Sequence, residues 1–589
     1  MPTRIAVIDR NLCIHTKCGY LCAKVCPPNR MGEECIIVEK GGVFPVISEV
    51  LCIGCGLCVK KCPVNCISII NLAGELEHPM FQYGVNAFRL YGLPLPKGEG
   101  AVSLVGKNGI GKTTAIRLLS RQLKPNFGHP EIEHTDEQIL ENLPIETRRY
   151  FEKMSGEGQT RISSKPQYID KVRDVFKGTV SELLATSGSD GKGISEAVRR
   201  FSMEDILSRN ISQLSGGELQ KTAIATAYLK DSDIYYFDEV TNYLDIEERL
   251  RVAVILRELA ERKPVLMAEH DLTILDYVSS YVYLIYGEEN VYGVVSHVKN
   301  SRVGINEYLQ GFLKDENVRF RDHEIAFSTY SEGEIKTAPI MKYVGLSKSF
   351  KDGGFSFASD SGEIRKGEIL GLVGKNALGK SLFVKMLAGV ENPDEGTGIT
   401  MKVSYKPQYI SAEDVTVQEM FASRSINGIV FEEAKRRLKL GPLMEKKLNE
   451  ISGGELQRVA CTLALSQDAD IYLFDEPSAF LDIEQRFEFA KLLRSVISES
   501  EKAAFVVDHD IVFIDAIANR LIVFDGKSSV KGHAGAPKNK REGMNGFLKV
   551  AGVTMRRDKD THRPRINKPE SQLDREQKEK GEYFYHERK

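Results

Sequence analysis

The chain has 589 residues, 42% of them hydrophobic and 28% charged, with a formal net charge of −2. That length exceeds what one hydrophobic core supports, so three or four domains are expected, and the composition excludes general disorder and an overall polyanion-binding charge. No apolar run approaches the ~18 residues of a membrane span, and the N-terminus MPTRIAVIDR lacks the apolar segment of a secretory signal, so a cytoplasmic protein without membrane association is expected.

In chain order, cysteine comes first. Of the eleven cysteines, only Cys461 lies beyond residue 66, in an apolar helical context that reads as core. Such clustering without a secretory signal argues for metal over disulfides. Cys52, Cys55, Cys58 and Cys62, followed by Pro63, have the spacing C-x2-C-x2-C-x3-C-P. It resembles the bacterial ferredoxin pattern for a [4Fe–4S] cluster. Two-residue gaps let one tight turn aim three thiols at one cube. The first group, Cys13, Cys18, Cys22 and Cys26 before Pro27, is more loosely spaced. In the ferredoxin pattern the fourth cysteine serves the neighbouring cluster. The resemblance therefore implies two clusters with crossed ligands: Cys13, Cys18, Cys22 and Cys62 on one, and Cys52, Cys55, Cys58 and Cys26 on the other. Cys35 and Cys66 are left over and are expected to be packing residues. Zinc sites usually show two separated CxxC pairs, which fits this segment poorly. Residues 1–75 are thus expected to form a ferredoxin-like α+β iron–sulfur domain.

Beyond the cysteines the chain repeats itself. Gly106-Lys-Asn-Gly-Ile-Gly111-Lys112-Thr113 and Gly374-Lys-Asn-Ala-Leu-Gly379-Lys380-Ser381 both match G-x4-G-K-[ST], each after a short apolar strand and before a helix. That context makes a P-loop. Gly106, Asn108, Gly109, Gly111 and Thr114, with Gly374, Asn376 and Gly379, are expected around the phosphates of ATP. Lys112 and Lys380 reach the β/γ-phosphates, and Thr113 and Ser381 bind Mg²⁺. Later come Leu214-Ser215-Gly216-Gly217-Glu218 and Ile451-Ser452-Gly453-Gly454-Glu455, which look like the ABC signature. Each precedes an apolar strand ending in two acids, Asp238-Glu239 and Asp475-Glu476. Gln167 and Gln408 in KPQY, Asp245 and Asp482 in the D-loop, and His270 and His509 in HD complete the pair. The same motifs in the same order twice identify two P-loop ABC nucleotide-binding domains, head-to-tail in an α/β multidomain chain.

The residue types carry the chemistry. Asp238 and Asp475, with Gln167 and Gln408, are expected in the two Mg²⁺ shells, Glu239 and Glu476 polarise water, and His270 and His509 steady the γ-phosphate. In the ABC family the signature helix completes the partner cassette's site. The resemblance pairs Lys112 with Ser452 and Gly454, and Lys380 with Ser215 and Gly217. Adenine is expected on Tyr83 or Phe88 in site one and on Phe350 in site two. Copy one carries surplus residues around 130–160, whose apolar spacing on either side of Pro144 predicts a helix–loop–helix insertion. It reads equally as a partner contact or as surface elaboration. Val240 stands where copy two has Pro477, Ala377 where copy one has Gly109, and Asp508 where copy one has Glu269. Every phosphate, magnesium and water ligand remains, so both sites are expected to be active, though unequally. The tail from Pro537 carries a Lys/Arg excess that fits either solvated surface or phosphate contact.

Two ferredoxin-like clusters ahead of a twin cassette resemble the ribosome-recycling ATPase of the ABC E subfamily, the RNase L inhibitor family. LCIGCGLCVKKCP, VGKNGIGKTT, LSGGELQ, YGVV at Tyr292–Val295, NVRFRD at Asn317–Asp322 and MRRDKDTHRPRIN at Met555–Asn567 carry the likeness. It implies domains at 76–300 and 336–540, a hinge at 301–335 and a second hinge at 541–589, whose arginines brace the cassettes and touch ribosomal RNA. It further implies a monomer that uses ATP closure to split ribosomes, staying on the small subunit. Its partners would be a class I release factor or Pelota-like factor, with initiation factors as further candidates. The alternative is an ATP-gated iron–sulfur electron-transfer protein, although no flavin or substrate motif accompanies the cysteines. A DNA-repair ATPase would need a long coiled coil between P-loop and signature, which the spacing excludes.

Overall fold

The computed structural model describes residues 4–71, 78–98, 100–155, 160–327, 337–350, 354–396, 401–408 and 414–584. Residues 328–335 of the expected hinge, 156–159 of the expected insertion and the boundary at 75–76 lie outside the described residues.

Residues 101–105 and 369–373 are continuous apolar or small runs, and the strands they form, Ala101–Val105 and Glu368–Val373, are central and buried along their whole length. In the first cassette Ala101–Val105 is flanked in parallel by Val265–Ala268 and Ser279–Glu288, with Ile234–Asp238 and then Ile162–Lys165 beyond. In the second, Glu368–Val373 has Ala503–Val507 and Arg520–Lys527 beside it, then Ile471–Asp475 and Val403–Lys406. Parallel strands covered on both faces read as unbroken apolar runs. Each sheet of nine strands continues into a short mixed part: in the first cassette Tyr292–Val295 lies antiparallel to Ser279–Glu288 and parallel to Arg89–Tyr91, which pairs antiparallel with Phe81–Gln82. The functional motifs follow the C-terminal ends of the parallel strands, where open α/β sheets hold ligands.

Helix starts repeat too. Ser215 and Ser452 cap the helices Gly216–Leu229 and Gly453–Ser466, each in a capping box with the glutamate three residues on. The signature S-x-x-E is thus a helix-start signal in its own right. Helices Asp136–Asn142 and Ile145–Ser155 occupy the extra stretch of copy one. Ile139, Leu143, Phe151 and Met154 join the core beneath the first P-loop helix, and the Tyr150 hydroxyl donates to Leu119 O at 2.9 Å. The insertion is therefore a packed part of the cassette on its inner face.

The N-terminal domain pairs Arg4–Ile8 with Ile67–Asn71 and packs Ile5 and Val7 on Tyr91, Val291 and Val294 of the first cassette. The Asn86 amide fastens it, donating to Ala6 O (2.9 Å) and Ile47 O (3.0 Å) and accepting from Ile47 N–H (2.8 Å).

The two arginine-rich segments cross over. After the first cassette, Arg321 is buried against the second, on Glu484 (2.7 Å), and Phe327 packs on Phe487. After the second, Arg563 and Arg565 both pair with Asp276 of the first. Arg563 is 0% exposed. In this arrangement Arg321, Arg563 and Arg565 brace protein against protein. Arg556 is half-buried on Asn567 (2.7 Å), and Arg319 is exposed.

Candidate active site

Each P-loop enters its helix, Lys112–Leu119 or Lys380–Leu387, through a left-handed glycine, with φ 103° at Gly111 and 89° at Gly379. Side chains there would strike Phe88 and Phe357, at 2.8 and 2.7 Å from the added Cβ. Lys112 is buried and donates to Gly106 O (2.9 Å) and Lys107 O (2.6 Å); Lys380 does the same to Gly374 O and Lys375 O. Burial lowers both ammonium groups, Lys380 to about 8. A buried cation at a helix N-terminus is an anion site. Gly109 has φ 66°, and Ala377 holds φ 57° in its place.

Asp238 and Asp475 end the buried strands beside these helices. Thr113 Oγ1 donates to Asp238 Oδ2 at 2.8 Å, and the Ser381 hydroxyl lies beside Asp475. Asp238 Oδ1 and both Asp475 oxygens are buried without a partner at normal hydrogen-bond geometry. Burial pushes both carboxyls up, Asp475 to about 6. Unpaired buried carboxylate oxygens beside a hydroxyl suit a hard divalent cation.

The next residues, Glu239 and Glu476, are left-handed, with φ 51° and 49°. Non-glycine residues pay roughly 1–2 kcal/mol for that conformation. Here it bends each glutamate out of its strand onto Gln167 Nε2 (2.6 Å) or Gln408 Nε2 (2.8 Å). Buried Lys165 holds the bend from behind through Asp238 O and Glu239 O, as Lys406 does for Asp475 O and Glu476 O. From the signature helices Gln220 and Gln457 donate to the same glutamate carbonyls, each at 2.7 Å.

The sites differ in detail. Glu239 also accepts from Asn242 Nδ2 at 2.7 Å, where copy two has Ala479. His509 Nε2 lies 3.4 Å from Glu476 Oε1, whereas His270 Nε2 is 3.8 Å from Glu239 Oε1. Burial and nearby Asp238 raise the Glu239 carboxyl. Burial would raise Glu476 too, but the bond and charge of His509, with the Gln408 amide, bring it down to about 2. Burial, with Lys112 and Arg486 nearby, keeps His270 well below 6.5. The Glu269/Asp508 exchange has a simple cause. Glu269 accepts from the N–H groups of both Val240 and Thr241, while in that turn Asp508 accepts from the N–H and hydroxyl of Ser478 because Pro477 has no N–H; Asp508 also accepts from Asp510 N–H at 2.9 Å.

Each site is finished by the other cassette. Asn108 N–H donates to Asp482 Oδ2 (3.0 Å), and Asn376 N–H to Asp245 Oδ2 (2.8 Å). Lys107 pairs with Glu484 and Lys375 with Glu247. Signature Gly217 and Gly454 pack on the D-loop carbonyls of Tyr243 and Phe480, and a Cβ on Gly454 would lie 3.7 Å from Asn108 Nδ2. Between the sites, Arg249 pairs with Asp271 (2.9 Å) and Arg486 with Asp510 (2.7 Å); Arg486 also donates across the interface to His270 O (3.4 Å). Tyr83 bonds Thr114 through its hydroxyl (3.1 Å) and, like Phe350, is about half exposed at the rim. Phe88 packs on Gly111, and Phe355, absent from the sequence reading, packs on Gly379 in the same way.

Lys165, Lys406, Asn242, Arg249 and Arg486 escaped the sequence reading as well. The lysines had a signal, since they stand two residues before Gln167 and Gln408 in both KPQY repeats.

In the N-terminal domain Cys13, Cys18, Cys22 and Cys62 line one cavity, together with Cys66. Cys58 has Cys52, Cys55 and Cys26 around it. The fourth cysteine of each group thus stands with the other group. Burial pushes Cys22 and Cys58 up to about 11, so four thiolates crowded there call for a cationic centre. Among the described residues no three Cys, His, Asp or Glu side chains converge on a point sized for one ion. Cys35 lies beside Cys26 with its Sγ 4.0 Å from Ser48 O.

Comparison with known proteins gives matches along the chain. The family described as ABC transporter matches residues 92–242 and 357–479. A 4Fe-4S binding domain matches residues 45–68, and a possible Fer4-like domain in RNase L inhibitor matches 3–34. Translation initiation factor RLI1 of Saccharomyces cerevisiae is 40% identical over 99% of this chain and 98% of its own length. A structure of ribosome-bound archaeal Pelota and ABCE1 matches with TM-score 0.92 and 46% identity, covering 99% of both chains. An archaeal ribosome recycling factor, aABCE1, solved with the stalk protein aP1, matches with TM-score 0.81 and 45% identity over 87% of this chain and all of that one. Among the described residues no helix is long and apolar enough to cross a membrane.

Proposed function

The chain belongs to the ABC E subfamily, the RNase L inhibitor family, and from that premise we propose that closing its cassettes on ATP splits ribosomes into subunits. It acts after termination or stalling, in the cytoplasm, with a Pelota-like or class I release factor, and stays on the small subunit. The carrying observation is reciprocity: each P-loop asparagine N–H is bonded to the D-loop aspartate of the opposite cassette, at 3.0 and 2.8 Å.

In this reading Lys112 and the signature start at Ser452 and Gly454 share one γ-phosphate, and Lys380 shares the other with Ser215 and Gly217. The shared anion holds the cassettes shut. Glu239 and Glu476 take a proton from the attacking water, Gln167 and Gln408 orient them, and His270 and His509 steady the γ-phosphate. Loss of that phosphate removes the common anion and lets the cassettes part. Thr113, Asp238 and Gln167, with Ser381, Asp475 and Gln408, would hold two Mg²⁺ ions, which offset phosphate charge when bound. The two cysteine sets would hold two [4Fe–4S] clusters, which cross-link the loops of the N-terminal domain. Tyr83 or Phe88, and Phe350 with Phe355, provide faces for adenine.

The test is a sucrose gradient of purified ribosomes with a Pelota-like factor, this protein and ATP. Separate subunit peaks are expected, with the protein on the small subunit, and the Glu239→Gln/Glu476→Gln protein should remain bound there. Intact ribosomes under every nucleotide would reject the function while leaving the ATPase reading untouched.

A further inference from the structure

The first cysteine site holds five thiols where a [4Fe–4S] cluster needs four. Cys66 lines the same cavity as Cys13, Cys18, Cys22 and Cys62. Its Sγ is 3.4 Å from Cys62 Sγ, and Cys13 lines the cavity beside it. Cys66 is 5% exposed, so this thiol is turned inward toward the site. Its backbone is fixed: Cys66 N–H donates to Cys62 Sγ at 3.4 Å, Cys66 O accepts from Asp9 N–H at 2.8 Å, and the strand Ile67–Asn71 begins at the next residue. The thiol therefore has rotation about its own side chain as its main freedom, and that rotation sweeps the space beside Cys62.

We infer that Cys66 is a second fourth-ligand position of the first iron–sulfur site, able to hold the cluster in place of Cys62. The inference rests on the reading that Cys13, Cys18, Cys22 and Cys62 bind iron. When Cys62 is the ligand, the Cys66 S–H donates to the Cys62 sulfur, the kind of outer hydrogen bond that tunes cluster potential. When the Cys62 thiol is missing, Cys66 gives its proton to solvent and one iron–Sγ(Cys66) bond replaces the iron–Sγ(Cys62) bond. No electron is exchanged. Cys62 sits at the end of the helix Leu57–Lys61 and is part exposed, whereas Cys66 is buried at a strand start. The reserve ligand is thus the better protected of the two.

The experiment uses the full chain purified without oxygen. Iron and acid-labile sulfide are counted in wild type, Cys62→Ala, Cys66→Ala, the double variant and Cys18→Ala, with electron paramagnetic resonance of the reduced proteins. Alanine cannot ligate iron, so the comparison is clean. Each single change at 62 or 66 should keep about eight irons per chain, as two [4Fe–4S] clusters require, with an altered reduced spectrum in Cys62→Ala. The double variant should fall to about four. If Cys62→Ala loses as much iron as the double variant, or the double variant loses none, Cys66 is not a ligand position. If Cys18→Ala also keeps about eight, the assignment of the first site itself fails, and the iron count of that variant separates the two failures.

Discussion

Glu239 and Glu476 occupy equivalent left-handed bends, yet different neighbours hold them: Asn242 reaches the first, and His509 draws close to the second. Replacing either with glutamine keeps the bend and removes the base, so hydrolysis at the altered site should fall about a hundredfold or more. The two single variants should leave unequal residual ATPase. Wild-type rates in both would refute the water-activating role. Ala377 offers a second residue-scale test, since its φ of 57° strains any residue with a Cβ. Ala377→Gly should raise stability by about 1 kcal/mol, read as a higher denaturation midpoint; a lower midpoint would contradict the strain. The motif residues were legible because phosphate cradles and helix caps fix residue type and spacing together. Asn242 was not, because one amide three residues past a motif has no pattern around it until the bend aims it at Glu239.

Among elements, the crossed hinges carry the sharpest prediction. Among the described residues Asp276 is the acid in ion-pair contact with Arg563, and it also pairs with Arg565; removing one partner of a buried pair costs about 3–5 kcal/mol. Asp276→Asn should therefore lower the thermal midpoint, while the salt dependence of small-subunit binding stays as in wild type. A changed salt slope with unchanged stability would return these arginines to RNA. Asp558 adds a pH signature. Burial alone would raise its carboxyl, but the N–H groups of Asp560 and Thr561 and the charges of Arg563 and Arg302 hold it well below 3.8. Its contribution is complete above that ordinary value and is lost as acidification approaches the depressed one. Asp558→Asn should thus lower stability near neutrality and flatten its acid dependence. The sequence showed arginine-rich segments but could not separate bracing from RNA contact, because Asp276 is one acid among 82 and its pairing spans 287 residues.

At the scale of the whole molecule, the hairpin from Phe81 to Tyr91 joins the parts. It carries Tyr83 and Phe88 at the first nucleotide site, and its tip residue Asn86 fastens the cysteine domain. The first nucleotide site and that domain are thereby tied through one short, hydrogen-bonded hairpin. The repeat and the cysteine groups were readable because each is local, whereas the way the domains lock together depends on contacts hundreds of residues apart. The central claim is that closure through the opposite signature helix drives splitting. Light scattering of ribosomes mixed with a Pelota-like factor, ATP and Ser215→Arg/Ser452→Arg protein tests it most directly, because those changes block each shared γ-phosphate while sparing both P-loops. The variant should bind ATP with nearly wild-type affinity and leave the scattering unchanged over the time in which wild type splits the ribosomes. Splitting at the wild-type rate would contradict the account.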